Sequence, residues 1–236
     1  MNFLVWAPSK ADAKRVSKEA EEYYKRLLKI LKYGGTFSQK CKIYIYRDRE
    51  QYIKTLKKFD SYFPVWSGGV NYPKTASRGP MVCAFLTRGL FEHIFPHELT
   101  HAVFREFIGG LGMPTIIKIP LWLDEGMAVF MEKGADYKKA IKQAVDDGSY
   151  MKLETLTALT RYPENLQERN LFYQQAPSVV EFLIVTYGGD KFLSFSRRLV
   201  RKNEDIDQNL SSVYYPHIQN IEQLDSSWVE YVGKNY

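Results

Sequence analysis

Two histidines four residues apart, with a glutamate directly after the first, constrain this chain more than any other feature. They lie in Pro96-His97-Glu98-Leu99-Thr100-His101. On a helix, positions i and i+4 stand one turn apart on the same side. The segment is therefore expected to be helical, with both imidazoles aimed at one place where two nitrogens can share an ion. Glu98 follows the first histidine too closely to bind that ion comfortably with it. It can instead reach a water on the metal and take its proton. The chain holds only 4 histidines, so an accidental match to this pattern is rare. The plain alternative is a helix with two hydrogen-bonded histidines beside a surface glutamate.

A catalytic zinc takes three protein ligands and keeps a fourth position open. A third ligand is best sought in Pro120-Leu121-Trp122-Leu123-Asp124-Glu125-Gly126-Met127-Ala128. Two acidic residues there sit between a Trp/Leu cluster and small residues. A carboxylate among such neighbours must be paired or bound to metal, since its desolvation is otherwise costly. Gly126 and Ala128 would let this helix pack closely on the one bearing the histidines. Asp124 is open between partnering a ligand histidine and capping a helix or forming an ion pair. His93, four residues before His97, reads as a helix-start or outer-layer residue, because Pro96 interrupts a regular helix before it. Cys41 and Cys83 form no Cys-x-x-Cys pair. They exclude a Cys-rich structural zinc site and read as buried, unbridged thiols.

The surrounding pattern is strands with helices first, then helices only, which is an α+β arrangement. Phe3–Ala7 and Lys42–Tyr46 read as strands, and Pro80–Thr87 as another. Ser9 can cap a helix that runs to about Tyr33, with Val16, Ala20, Tyr23, Tyr24, Leu27, Leu28 and Leu31 recurring at helical spacing. A short helix is expected over Arg49–Lys58. Residues 61–80 read as an ordered loop around a strand or hairpin. A loop at 109–119 and a helix from Leu121 to about Lys133 follow the histidine helix. Beyond it, Gly148, Pro163, Pro177, Gly188-Gly189 and Pro216 punctuate helices.

With 236 residues, 45% of them hydrophobic and 25% charged, one large soluble domain, or one domain with a small helical appendage, is expected. Disorder, collagen and coiled coil are excluded as overall classes. No transmembrane segment is expected, because no uncharged apolar stretch approaches the ~20 residues that cross a bilayer. Phe3-Leu4-Val5-Trp6-Ala7 is too short for a signal-peptide core. The chain is thus either made without a signal or begins after one. Localisation stays open between exported and cytoplasmic. The net charge of +6 is concentrated in residues 1–60, with 15 Lys/Arg against 7 Asp/Glu. No nucleic-acid-binding module accompanies it, so a solvated helix face is expected and nucleic acid is not.

The His97-Glu98-Leu99-Thr100-His101 and Trp122-Leu123-Asp124-Glu125-Gly126-Met127-Ala128 stretches resemble the gluzincin metallopeptidases. The bacterial group called peptidase MA-like is the most similar. Trp66-Ser67-Gly68-Gly69, Phe172-Tyr173-Gln174-Gln175-Ala176-Pro177-Ser178 and a Trp228-containing final helix extend the likeness over nearly the whole chain. The resemblance implies a zincin-like α+β fold: N-terminal helices, a small mixed sheet whose edge strand precedes the active-site helix, and a mostly helical C-terminal part. It implies one domain over 1–236, with a strand/helix subdomain at 1–110 and a helical one at 111–236. It implies Zn2+ held by His97, His101 and Glu125, with Glu98 as general base, acting on a peptide or protein substrate. In related aminopeptidases a tyrosine in a Tyr-x-x-Gly-Ala context stabilises the oxyanion. Tyr173 resembles it by position, although Gln175-Ala176 stands where that pattern has Gly-Ala. Tyr187 and His217 are alternatives.

The expected activity is that of a zinc-dependent metallopeptidase. The other reading is a non-enzymatic zincin-fold module that binds a peptide or protein, which would have no chemical use for Glu98. The strand at Pro80–Thr87 has the place of the one that pairs with extended substrate, unless it is interior. Related aminopeptidases hold the substrate amine with Gly-x-Met-Glu-Asn. Here Gly79-Pro80-Met81-Val82-Cys83 puts Val82 at the glutamate, and no acidic residue occurs between Asp60 and Glu92. Endopeptidase-type cleavage is therefore expected.

Overall fold

The computed structural model describes residues 2–37, 39–75, 78–109, 119–201 and 205–236. Most of the loop expected at 109–119, with Gly112 and Pro114, lies outside the described residues. The chain divides into two compact units.

Among the described residues the first unit holds the strands β1 (Phe3–Trp6), β2 (Cys41–Tyr46), β3 (Gly69–Tyr72) and β4 (Met81–Phe85), and the α-helices α1 (Lys10–Ile30, all but its last residue), α2 (Arg49–Phe59) and α3 (Phe95–Gly109). Ser9 does cap α1: its Oγ accepts from the Asp12 amide at 3.1 Å. Val16, Ala20, Tyr23, Tyr24 and Leu27 form its buried stripe. Asp48 caps α2, accepting from the Gln51 amide at 2.8 Å. In β2, buried Cys41, Ile43 and Ile45 alternate with half-buried neighbours, the period-2 pattern of a strand.

The sheet runs β1-β2-β4-β3, with β1, β2 and β4 parallel and β3 antiparallel to β4. The sheet is small and mixed, as expected, but the strand at Pro80–Thr87 is not its edge. β4 lies between β2 and β3, and the antiparallel edge is β3. The reason is visible in β4 itself: Met81, Val82, Cys83 and Ala84 are all buried. A strand apolar on both faces belongs inside a sheet. The register places Gly69 opposite Ala84 and Asn71 opposite Val82. Alternation then sends Val70 and Tyr72 to the face where Tyr52, Leu56 and Phe63 pack on Met81 and Cys83. Gly69 and Asn71 go to the other face, where α3 contacts β3 and β4.

The second unit carries most of α4 (Leu121–Met131), then α5 (Lys138–Asp146), α6 (Leu153–Ala158), α7 (Leu166–Tyr187), α8 (Gly189–Arg201), α9 (Ile206–Tyr214) and α10 (Ile221–Asn235). The helix α7 supplies buried Phe172, Ala176, Val179, Val180 and Leu183. Pro177 does not punctuate this region; it sits inside α7. Trp228 of α10 donates from Nε1 to Ser178 Oγ at 2.9 Å. The close approach that Gly126 makes is to α7, where an added Cβ would lie 2.7 Å from the Ala176 carbonyl oxygen. Among the described residues no helix is long and apolar enough to cross a membrane. Both cysteines are buried and unbridged.

Candidate active site

A π-helical turn at Leu90–Ile94 leads into α3, with Gly89 in the left-handed region at φ 82°. Pro96 falls in the first turn of α3; it has no N–H to donate, and the Glu92 carbonyl four residues before it accepts from the Lys133 amide at 2.8 Å instead. His97 and His101 then stand one turn apart with their Nε2 atoms 3.1 Å from each other. Two ligands of a tetrahedral zinc, each at about 2.0–2.1 Å, stand roughly 3.3 Å apart. The histidine pair therefore already has the convergence that one shared ion requires.

Glu132, directly after α4, holds two imidazoles. Its Oε1 lies 2.9 Å from His97 Nδ1 and its Oε2 lies 3.1 Å from His93 Nδ1. A carboxylate can only accept, so the Nδ1 atoms facing it carry the protons. His97 is left with its lone pair on Nε2, the form that binds a metal. His93 is thus tied to the carboxylate that orients His97. Sequence reading missed Glu132. No local signal marks it, because its partner His97 lies 35 residues away in the sequence.

Glu98 is seated by the edge strand. Asn71 Nδ2 donates to Glu98 Oε2 at 2.7 Å, and Arg105 Nη1 donates to Asn71 Oδ1. Gly69 makes room for this: a Cβ there would lie 2.8 Å from Glu98 Cγ and 2.9 Å from Ile94 Cγ2. Gly68 is confined likewise, 2.9 Å from Ile94 Cδ1. Burial pushes the Cys83 thiol up to about 12, with Glu98 adding to the shift. The nearby cysteine therefore stays protonated and is no competing nucleophile.

In the second unit Glu125 is buried on α4. The Tyr162 hydroxyl donates to Glu125 Oε1 at 2.7 Å. Burial raises the Tyr162 phenol well above its ordinary value, and the Glu125 charge raises it further. Tyr162 thus remains a donor at any ordinary pH.

The sequence profile of the peptidase MA superfamily matches residues 24–234. The chain belongs to the peptidase MA superfamily. No curated protein sequence matches it. The superfamily match runs from within α1 into α10, so every candidate residue lies inside it. It makes the family metallopeptidase-like, in line with the gluzincin resemblance, and the zincin-like α+β fold agrees with it.

Tyr173 is half-buried on α7 and its ring stacks on Tyr162, with centroids 5.8 Å apart and planes at 19°. Sequence reading singled out Tyr173 and missed Tyr162, the phenol that touches the carboxylate. Tyr187 and His217 pack on each other at 5.8 Å. Gly126 meets α7 at Ala176, eleven residues before Tyr187, or roughly 16 Å along the helix axis. Those two alternatives therefore sit away from the Glu125 end of α7.

Proposed function

We propose that the chain is a zinc-dependent metallopeptidase in which His97, His101 and Glu125 hold the metal and Glu98 is the general base. Each of the three offers one ligand atom of the kind zinc takes. The observation that carries this reading is the 3.1 Å approach of the two Nε2 atoms, with the Glu98 carboxylate held beside them by Asn71. Zinc, when bound, would polarise the scissile carbonyl and acidify the attacking water.

The remaining work falls to the chain. Asn71 occupies Glu98 Oε2, which leaves Oε1 to accept a proton and later hand it to the leaving amine. A binding-only module would have no use for a carboxylate positioned in this way. Tyr173 supplies an O–H to the developing oxyanion. Tyr162 holds one oxygen of Glu125 and fixes which way that carboxylate turns.

The edge strand β3 accepts an extended peptide through its backbone. The endopeptidase reading now rests on β3 rather than on Val82, which is interior. Gly69-Val70-Asn71-Tyr72 carries no carboxylate to pair with a substrate ammonium, and burying that ammonium unpaired is unfavourable.

Metal analysis tests the proposal. Purified protein should carry one zinc per chain, and Glu125→Ala should lose most of it. Full occupancy in that variant would remove Glu125 from the ligand set.

A further inference from the structure

Beside His97 and Glu98 the first unit opens a cleft of about 300 Å³. Trp66 stands on its rim and Ile94 on its wall, with Gly68 and Gly69 between them. Trp66 is 78% exposed, whereas Trp122 and Trp228 are fully buried. An indole held in water beside a reacting centre is apolar surface waiting for cover. The two glycines keep that side of the cleft at backbone level, because a Cβ at either would strike Ile94 at 2.9 Å.

The charges that reach the cleft are already engaged. Glu132 is shared by His93 and His97. Glu98 is held through Asn71, which Arg105 holds in turn. A lysine or arginine side chain entering here would lose hydration, would have to share Glu132 with two imidazoles or Glu98 with Asn71, and would compete with the cation of the proposed metal site for the same negative charge. An acidic side chain would meet Glu98 and Glu132 as like charges. A large apolar ring meets neither cost, and it can lie on the Trp66 indole and against Ile94.

We infer that this cleft is the substrate subsite for a large apolar or aromatic side chain next to the scissile bond, with Trp66 as the specificity-determining residue. The inference rests on the peptidase reading and names the substrate class for it.

The test uses extended peptides identical except at one position beside the scissile bond, which is Phe, Ala, Lys or Asp. One set varies the residue on the amino side of that bond and a second set the residue on the carboxyl side. In one set kcat/KM for Phe should exceed the other three by about tenfold or more. Trp66→Ala should shrink that ratio to below about threefold, and Trp66→Phe should keep most of it. No discrimination in either set, a preference for Lys, or an unchanged ratio in Trp66→Ala would overturn the inference. Binding separates it from the peptidase reading. The Phe peptide added to Glu98→Gln protein should blue-shift tryptophan emission, and the shift should vanish when Trp66→Phe is added. Should no peptide be cleaved while the shift occurs, the subsite stands and the peptidase reading fails. Should peptides be cleaved with no preference and no shift, the peptidase reading stands and the subsite falls. Neither cleavage nor shift would remove both.

Discussion

Glu132 Oε1 lies 2.9 Å from Nδ1 of His97, and the same carboxylate reaches His93 with its other oxygen. One side chain thereby sets the orientation and the proton position of a proposed metal ligand. Partners of this kind tune affinity without touching the ion. Glu132→Ala should weaken zinc binding by about 10–100-fold, measured by competition with a chromophoric chelator. His93→Gln, which leaves the His97 contact in place, should weaken it less. Equal affinity in Glu132→Ala and the parent would show that His97 needs no such support.

Tyr162 and Tyr173 stack on each other but are assigned different work. Tyr162→Phe removes the bond to Glu125, so it should lower zinc affinity. Tyr173→Phe should leave zinc in place and lower kcat by about 10²–10³ with little change in KM. If Tyr162→Phe instead produces the selective loss of kcat at full zinc occupancy, the two roles are exchanged.

Gly69→Ala tests the seat of the general base. The new methyl would meet Glu98 Cγ at 2.8 Å and Ile94 Cγ2 at 2.9 Å, and Glu98 must move. Zinc content should hold while kcat drops at least about tenfold, since misplacements near 1 Å can cost up to 10²-fold. Unchanged turnover would mean that Glu98 works equally well from another position.

The chemistry was more legible than its support. The spacing from His97 to His101 requires only helical geometry, and α3 ends at Gly109, where the loop is expected to begin. Asp48, Ser9 and the alternation in β2 likewise act locally. Asn71, Tyr162 and Glu132 reach their partners across 27, 37 and 35 residues, and no local pattern encodes such pairings. Strand order is non-local too, yet β4 carried a hint. Met81-Val82-Cys83-Ala84 lacks the polar alternation that a half-exposed edge strand shows, whereas Asn71 and Tyr72 in β3 are polar-tipped and only partly buried. On local grounds Pro177 marks a break, because proline cannot donate in a helix. The buried packing of Phe172, Ala176 and Val180 around it outweighs that local preference.

Away from the site, buried Glu181 accepts from Tyr137 at 2.7 Å, Lys138 at 2.6 Å and Tyr236 at 2.9 Å. Burial pushes its carboxyl upward, but Lys138 and the two phenols outweigh this and hold it below the ordinary 4.5. A carboxyl with a lowered folded value stabilises fully above its unfolded value and loses that stability as pH falls through the folded one. Glu181→Gln should therefore destabilise the protein at pH 7, by on the order of 2 kcal/mol. The difference in Tm from the parent should narrow as pH falls below 4.5. A gap that stays constant across that range would mean that the ionised carboxylate contributes nothing.

Glu98 is proposed as the base in zinc-dependent peptide hydrolysis. That role is tested most directly by digesting a proteome-derived peptide library with zinc-loaded parent protein and zinc-loaded Glu98→Gln. The amide keeps the shape of the side chain but cannot take a proton. The parent should cleave internally, with cleavage abolished by a chelator, and the variant should lose about 10²–10⁴-fold at equal zinc content. Equal cleavage by both proteins, or none by the zinc-loaded parent, would contradict that role.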